Sequence, residues 1–220
     1  MKLVLCSEGF HTNNTVQACV ELCGKPQDKI SFAIINEAYA VVGGDKRWVL
    51  DNLNDVAKNF PAEIDIINLL ALSLDEVEAR IMQKDALFVV GGSSDYLVKV
   101  FQQTGFSKLL PTLLESKVYV GSSAGSMALG RRVPDEVRRR IFGEDEHFEV
   151  DEYLNIVDVA LIPHLDSPHF PNDRIEVLDE VVRPLDFPVY ALRDDCALIV
   201  DGTTQKFIGS DPYKIHATSA

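Results

Sequence analysis

VYVGSSAGSMALG, residues 118–130, decides how the rest of this chain is read. The apolar run Val118, Tyr119 and Val120 enters a turn of small residues, and Ala128 and Leu129 leave it. Inside the turn, Gly121-Ser122-Ser123-Ala124-Gly125 fits G-x-S-x-G. That pattern describes a sharp strand-to-helix turn with an exposed nucleophile at its tip. Glycines flank such a serine because a Cβ on either side would crowd a turn held near forbidden backbone angles. The backbone N–H groups that open the following helix can hold a developing oxyanion. The same positions also describe an ordinary small-residue turn before a helix, so the surroundings decide.

Working outward, short β-rich runs alternate with helical patterns. Residues 3–6, 30–35, 64–69, 86–90 and 118–120 read as strands. Residues 16–23, 47–59, 74–82, 94–104 and 109–115 read as helices. Asn13, Asn14 or Thr15 is the candidate cap of the first helix, and Ser73 with Glu76 has capping-box spacing. The strand at 86–90 ends in Gly91-Gly92, a second glycine turn. The alternation predicts an α/β fold, a three-layer, mostly parallel sheet with helices on both faces. Sites in such sheets lie at the carboxyl ends of strands, so the turns after Val90 and Val120 should lie side by side.

Beyond Gly130 the pattern changes. Residues 131–149 are charge-dense and read as a solvated excursion, with a lid or an oligomer contact as alternatives. Residues 157–162 resume a strand that ends in Pro163-His164, and 175–182 are helical. Residues 188–192 and 197–200 are strands flanking Arg193-Asp194-Asp195, and Asp201-Gly202 turns toward a return strand at 206–209. No repeat or linker divides the chain, so residues 1–220 read as one domain.

The chain carries 34 acidic and 21 basic residues, a net charge of −13. A nucleic-acid partner is disfavoured, because binding phosphates needs a basic face. No stretch approaches the roughly 18 apolar residues of a membrane span, and the N-terminus reads as a buried strand rather than a signal peptide. Cys6, Cys19, Cys23 and Cys196 match no zinc spacing and read as reduced thiols of a cytoplasmic protein.

A serine hydroxyl needs a base within hydrogen-bond reach and a carboxylate to orient that base. Of five histidines, His164 follows a strand-like run and so lies at a carboxyl end, in the region of Ser123. His11 follows the first strand and is a possible site-edge residue; His147, His169 and His216 lie in the excursion, a loop and the tail. The acid comes from Asp194 or Asp195, with a modest preference for Asp194. The order Ser123, His164, Asp194 puts every member at a strand end. The α/β-hydrolase order of nucleophile, acid and histidine would instead need His216.

Three blocks together resemble peptidase family S51, which comprises dipeptidase E and the related cyanophycinases. They are FVVGGSSDYLVKVFQQTG (88–105), KVYVGSSAGSMALG (117–130) and VDVALIPHLDSPHF (157–170); a fourth, weaker block is ALRDDCALIVDG (191–202). The resemblance implies Ser123 as nucleophile, His164 as general base and Asp194 as the third member. It implies an oxyanion hole from the N–H groups of Gly92 and Ala124. It further implies a flavodoxin-like sheet related to class I glutamine amidotransferases. The implied reaction is cleavage on the carboxyl side of an aspartyl residue, with neither metal nor cofactor.

The chain departs from the family pattern beside the Gly-Gly turn. Ser93 stands where asparagine is common, and is read as a substrate contact. Ser94 and Asp95 replace a threonine-aromatic pair, and Ser126 replaces a common alanine. A carboxylate at Asp95 would repel an acidic substrate unless it points away. An aspartyl side chain needs a cation, best a bidentate arginine; Arg174 is the nearest candidate, with Arg131 and Arg132 behind it. The leading expectation is a serine peptidase acting on small peptides, a monomer or homodimer. An esterase using His216 and a non-catalytic binding protein of the same fold are the rivals.

Overall fold

Strands that are apolar on both faces need cover on both faces, and helices supply it here. The computed structural model describes residues 1–144, 148–182 and 185–215. In chain order the first half runs β1 (Lys2–Cys6), α1 (Asn13–Cys23), β2 (Phe32–Ile35), α2 (Arg47–Asn59), β3 (Ile64–Ile67) and α3 (Leu74–Met82). It continues with β4 (Ala86–Val89), α4 (Ser94–Gln103), α5 (Phe106–Leu113), β5 (Val118–Ser122) and α6 (Ala124–Met127). The second half adds α7 (Asp135–Val137), β6 (Ala160–Pro163), α8 (Ile175–Val181), β7 (Val189–Leu192), β8 (Ala197–Asp201), β9 (Thr204–Ile208) and β10 (Tyr213–Ile215).

Seven strands form the main sheet in the order β3-β2-β4-β5-β1-β8-β9. The first five are parallel to one another, and the hairpin β8–β9 adds two antiparallel strands at one edge. Side chains along β1 alternate between two cores, as the two-residue period of a strand requires. Leu3 and Leu5 join the core with α3, α4 and α5; Val4 and Cys6 join the core with α1 and α2. The second core is built on Phe10, Phe32, Phe60 and Phe88, with ring centroids 4.8 to 5.8 Å apart.

The remaining strands do not extend this sheet. β6 and β7 pair in parallel, β10 lies antiparallel on β7, and the three form a separate sheet packed on the α3–α5 side. Helix boundaries differ in small ways from the sequence reading. Thr12, not Asn13, Asn14 or Thr15, precedes α1, and its carbonyl accepts a bond of 2.9 Å from Thr15 Oγ1. The predicted cap of α3 is present, Ser73 Oγ accepting from the Glu76 N–H at 3.3 Å.

Candidate active site

Ser123 stands between β5 and α6 with φ 50° and ψ −112°, a conformation that few non-glycine residues adopt. Its N–H donates to the carbonyls of Cys6 at 3.1 Å and Ser7 at 3.0 Å, both at the end of the neighbouring strand β1. Ser126 Oγ donates to the Cys6 carbonyl at 2.7 Å, so the serine found in place of alanine ties α6 to the same strand end. The second glycine of the motif is dictated by space: a Cβ on Gly125 would meet the Val89 carbonyl oxygen at 2.3 Å.

β4 lies beside β5, so the Gly-Gly turn is next to the serine, as expected. A Cβ on Gly91 would sit 3.0 Å from Ser123 Cβ. Gly92 takes φ 136°, and a Cβ there would strike the Ala38 backbone at 2.3 Å. Ala124 is the first residue of α6, where a helix leaves its N–H groups unpaired. Neither Ala124 nor Gly92 donates to a backbone carbonyl among the described residues.

His164 follows β6 directly, with φ 72°, and is buried. Its Nε2 is 3.0 Å from Ser123 Oγ and its Nδ1 is 2.7 Å from Asp194 Oδ1. Register brings the pair together: Pro163 lies opposite Leu192, so the residues that follow β6 and β7 leave the small sheet side by side. Phe170 stacks on the imidazole at 4.5 Å and 16°, and Phe142 meets Phe170 edge-on at 5.7 Å. Burial alone would push Asp194 up. Hydrogen bonds from His164, Ser167 and Ser7 outweigh it and hold the carboxyl below its ordinary value. Asp195 turns the other way and accepts from Ser210, N–H at 3.0 Å and Oγ at 2.8 Å. Of the two aspartates, Asp194 is the one that lies against the His164 imidazole.

Ser93 and Arg174 are occupied elsewhere. Ser93 is buried; its Oγ caps α4 by accepting from the Tyr96 N–H at 3.4 Å, and its N–H donates to the Ala38 carbonyl at 2.9 Å. Arg174 gathers the loop after His164, donating to the carbonyls of Ser167, Phe170 and Asp173 at 2.7 to 3.4 Å. Arg131 pairs with Asp158. His11 Nδ1 lies 3.7 Å from Glu8 Oε2. His147 and His216 lie outside the described residues.

Asp95 is fully buried, its carboxylate turned to protein partners. Its carboxylate accepts from Tyr153 OH at 2.7 Å, and Arg132 and Arg138 each approach it at 2.9 Å. For the described residues 131–144 this corrects the reading of the segment as a solvated excursion. A carboxylate sealed from water needs countercharge, and this segment folds back to supply two arginines, Arg138 being only 2% exposed. A five-residue π-helical turn, Arg138–Phe142, then carries Phe142 to Phe170.

Two residues of the site have no motif. Ser7, at the end of β1, touches all three of Ser123, His164 and Asp194. Asp173 is fully buried, neither carboxyl oxygen has a hydrogen-bond partner among the described residues, and burial pushes it up to about 8. Among the described residues no group of three His, Cys, Asp or Glu side chains could hold a metal ion, and no helix is long and apolar enough to cross a membrane.

The sequence model of peptidase family S51 matches residues 3–208, nearly the whole chain. The chain belongs to peptidase family S51. Among its relatives, the uncharacterized peptidase PM1590 of Pasteurella multocida (strain Pm70) is 22% identical over 192 residues, covering 87% of this chain and 90% of that protein. The uncharacterized peptidase Lin0382 of Listeria innocua serovar 6a is 25% identical over 57% of this chain and 59% of its own. A crystal structure of a Listeria monocytogenes EGD-e protein provisionally named peptidase E superposes with a TM-score of 0.76 at 18% identity. That match covers 96% of this chain and 98% of the other. A peptidase from an acI-B1 Actinobacterium gives 0.68 at 16% identity, covering 99% and 95%. The S51 chain is a peptidase with the fold of these structures.

Proposed function

We propose that this S51 peptidase is a serine peptidase acting on short peptides through Ser123, His164 and Asp194. The observation that carries the reading is the continuous contact from Ser123 Oγ to His164 Nε2 at 3.0 Å and from His164 Nδ1 to Asp194 Oδ1 at 2.7 Å. Ser123 Oγ attacks the scissile carbonyl while His164 Nε2 takes its proton. The new oxyanion lies against the N–H groups of Gly92 and Ala124. The C–N bond then breaks, His164 returns the proton to the leaving amine, and an acyl-enzyme remains. Water, deprotonated by the same imidazole, releases the acid and restores Ser123. Asp194 stays ionised and stabilises the imidazolium.

An aspartyl residue at the first position is the specificity that the S51 resemblance implies. Asp95 no longer argues against it, because its charge is met by Arg132 and Arg138. Arg174 is the candidate cation, although its guanidinium already serves three loop carbonyls. A fluorophosphonate probe and a dipeptide library with Asp, Asn, Glu and apolar first residues test the reading together. Ser123→Ala should lose labelling and turnover by several orders of magnitude while remaining folded. Undiminished hydrolysis by that variant rejects the mechanism.

A further inference from the structure

Beside the direct His164–Ser123 contact, one small residue, Ser7, joins the two sheets at the site. Ser7 follows β1, the strand that pairs with β5 on one side and β8 on the other. It is completely buried. Its carbonyl accepts the Ser123 N–H at 3.0 Å, within the main sheet. Its hydroxyl accepts the His164 N–H at 2.8 Å and lies 3.3 Å from both Asp194 Oδ1 and the Leu192 carbonyl, all three partners carried by the small sheet or its loops. A hydroxyl has one proton. With His164 using a lone pair, that proton is shared between the two acceptors, and the ionised carboxylate is the stronger of them.

We propose that Ser7 is a positioning residue of this peptidase, holding His164 and Asp194 of the small sheet in register with Ser123 of the main sheet. The inference rests on the serine-peptidase reading given above. The side chain touches no reacting atom, so its effect passes through the imidazole and the carboxylate. Loss of the hydroxyl removes the acceptor that pins the His164 backbone at φ 72°. It also removes one of the donors that keep Asp194 ionised at low pH. A carboxylate that loses a donor binds its proton more tightly. Neither effect requires the fold to change, because β1 keeps its backbone pairing to β5 and β8.

The test compares Ser7→Ala and Ser7→Cys with the parent. Three measurements are made: fluorophosphonate labelling rate across pH, thermal melting, and the carboxyl 13C titration of Asp194, assigned by its absence in Asp194→Asn. Ser7→Ala should label at least about tenfold more slowly, the lower end for a lost hydrogen bond to a charged group. The acid limb of its pH profile and the Asp194 titration should both move to higher pH. Ser7→Cys, which keeps a weak donor of similar size, should fall between. An alanine variant with parental labelling rate and an unmoved Asp194 titration overturns the proposal. So does a rate loss that merely tracks the unfolded fraction, with the titration unmoved. A parent protein that the probe never labels sinks the serine-peptidase reading instead, and the 13C comparison still decides what Ser7 does.

Discussion

Replacing Asp173 by asparagine should make the protein more stable at neutral pH, and the gain should depend on pH in a defined way. The carboxyl is fully buried, neither oxygen has a partner among the described residues, and its pKa lies at about 8 against an ordinary 3.8. The charges around it pull in both directions. Arg174 favours the ionised form, while Asp166 and Asp194 disfavour it, and burial dominates. The folded state therefore holds a proton that the unfolded chain has released anywhere between pH 3.8 and about 8. With fewer protons bound when unfolded, stability falls as pH rises through that window. At pH 7 the part of the shift already crossed, from 3.8 to 7, corresponds to about 4 kcal/mol. Relaxation and water entry reduce such figures, so a gain of about 2 kcal/mol is expected from Asp173→Asn. For a chain of this size that is a rise in Tm of roughly 4–8 °C. Urea unfolding of parent and variant at half-unit steps from pH 4 to 8 measures it. The difference should be near zero at the acid end and grow steadily toward pH 8. A difference that is flat with pH, or a variant less stable than the parent at pH 7, refutes the reasoning: the carboxylate would then have a stabilising partner.

Two further substitutions test how the site is supported. Asp95→Ala removes the buried one of the two carboxylates that Arg132 and Arg138 share, Asp135 being the other, and should cost about 1.5–3 kcal/mol in urea unfolding; a loss under about 1 kcal/mol would mean that the cluster is solvated. Gly125→Ala places a methyl 2.3 Å from the Val89 carbonyl, so β5 and α6 must separate from β4. That variant should unfold at lower denaturant and lose phosphonate labelling in the fraction that stays folded, and labelling at the parental rate would count against the tight turn.

How much of this was readable beforehand follows the range of the forces involved. The G-x-S-x-G turn and the strand–helix alternation are local, and β1 to β5 stand where the apolar runs put them, in a sheet whose Gly-Gly turn lies against Ser123. The second sheet was not legible. Residues 160–163 are as apolar as any strand of the main sheet, and nothing in such a run states which strand it pairs with. Asp194 was preferred only modestly over Asp195, because both lie in the turn between β7 and β8 and only the position of His164 tells which carboxylate it meets. Ser7 carried no signal beyond being polar at the end of a buried strand. The one available clue was its place at the end of the first strand, beside the strand that delivers Ser123.

The charged segment after Gly130 illustrates how a rule about charge inverts when a single partner is buried. Taken alone, Arg131, Arg132, Arg138, Arg139 and Arg140 are a wet surface. Asp95 changes that, because an ionised carboxylate with no access to water is stable only when cations come to it. Two arginines from the segment meet it, and Tyr153 and Ser94 complete the network. Once the segment is drawn in, its π-helical turn has a fixed position, and Phe142 reaches the ring that stacks on His164. The substitution that looked hostile to an acidic substrate thus has a different consequence. It fastens a wall of the site to the first turn of α4, three residues beyond the N–H of Gly92. Asp95→Asn separates the two ideas: if the carboxylate only repelled substrate, the variant would bind acidic peptides better with unchanged stability. Because it anchors the wall, the variant should instead lose stability and label more slowly, and urea unfolding with phosphonate labelling on the same sample distinguishes them.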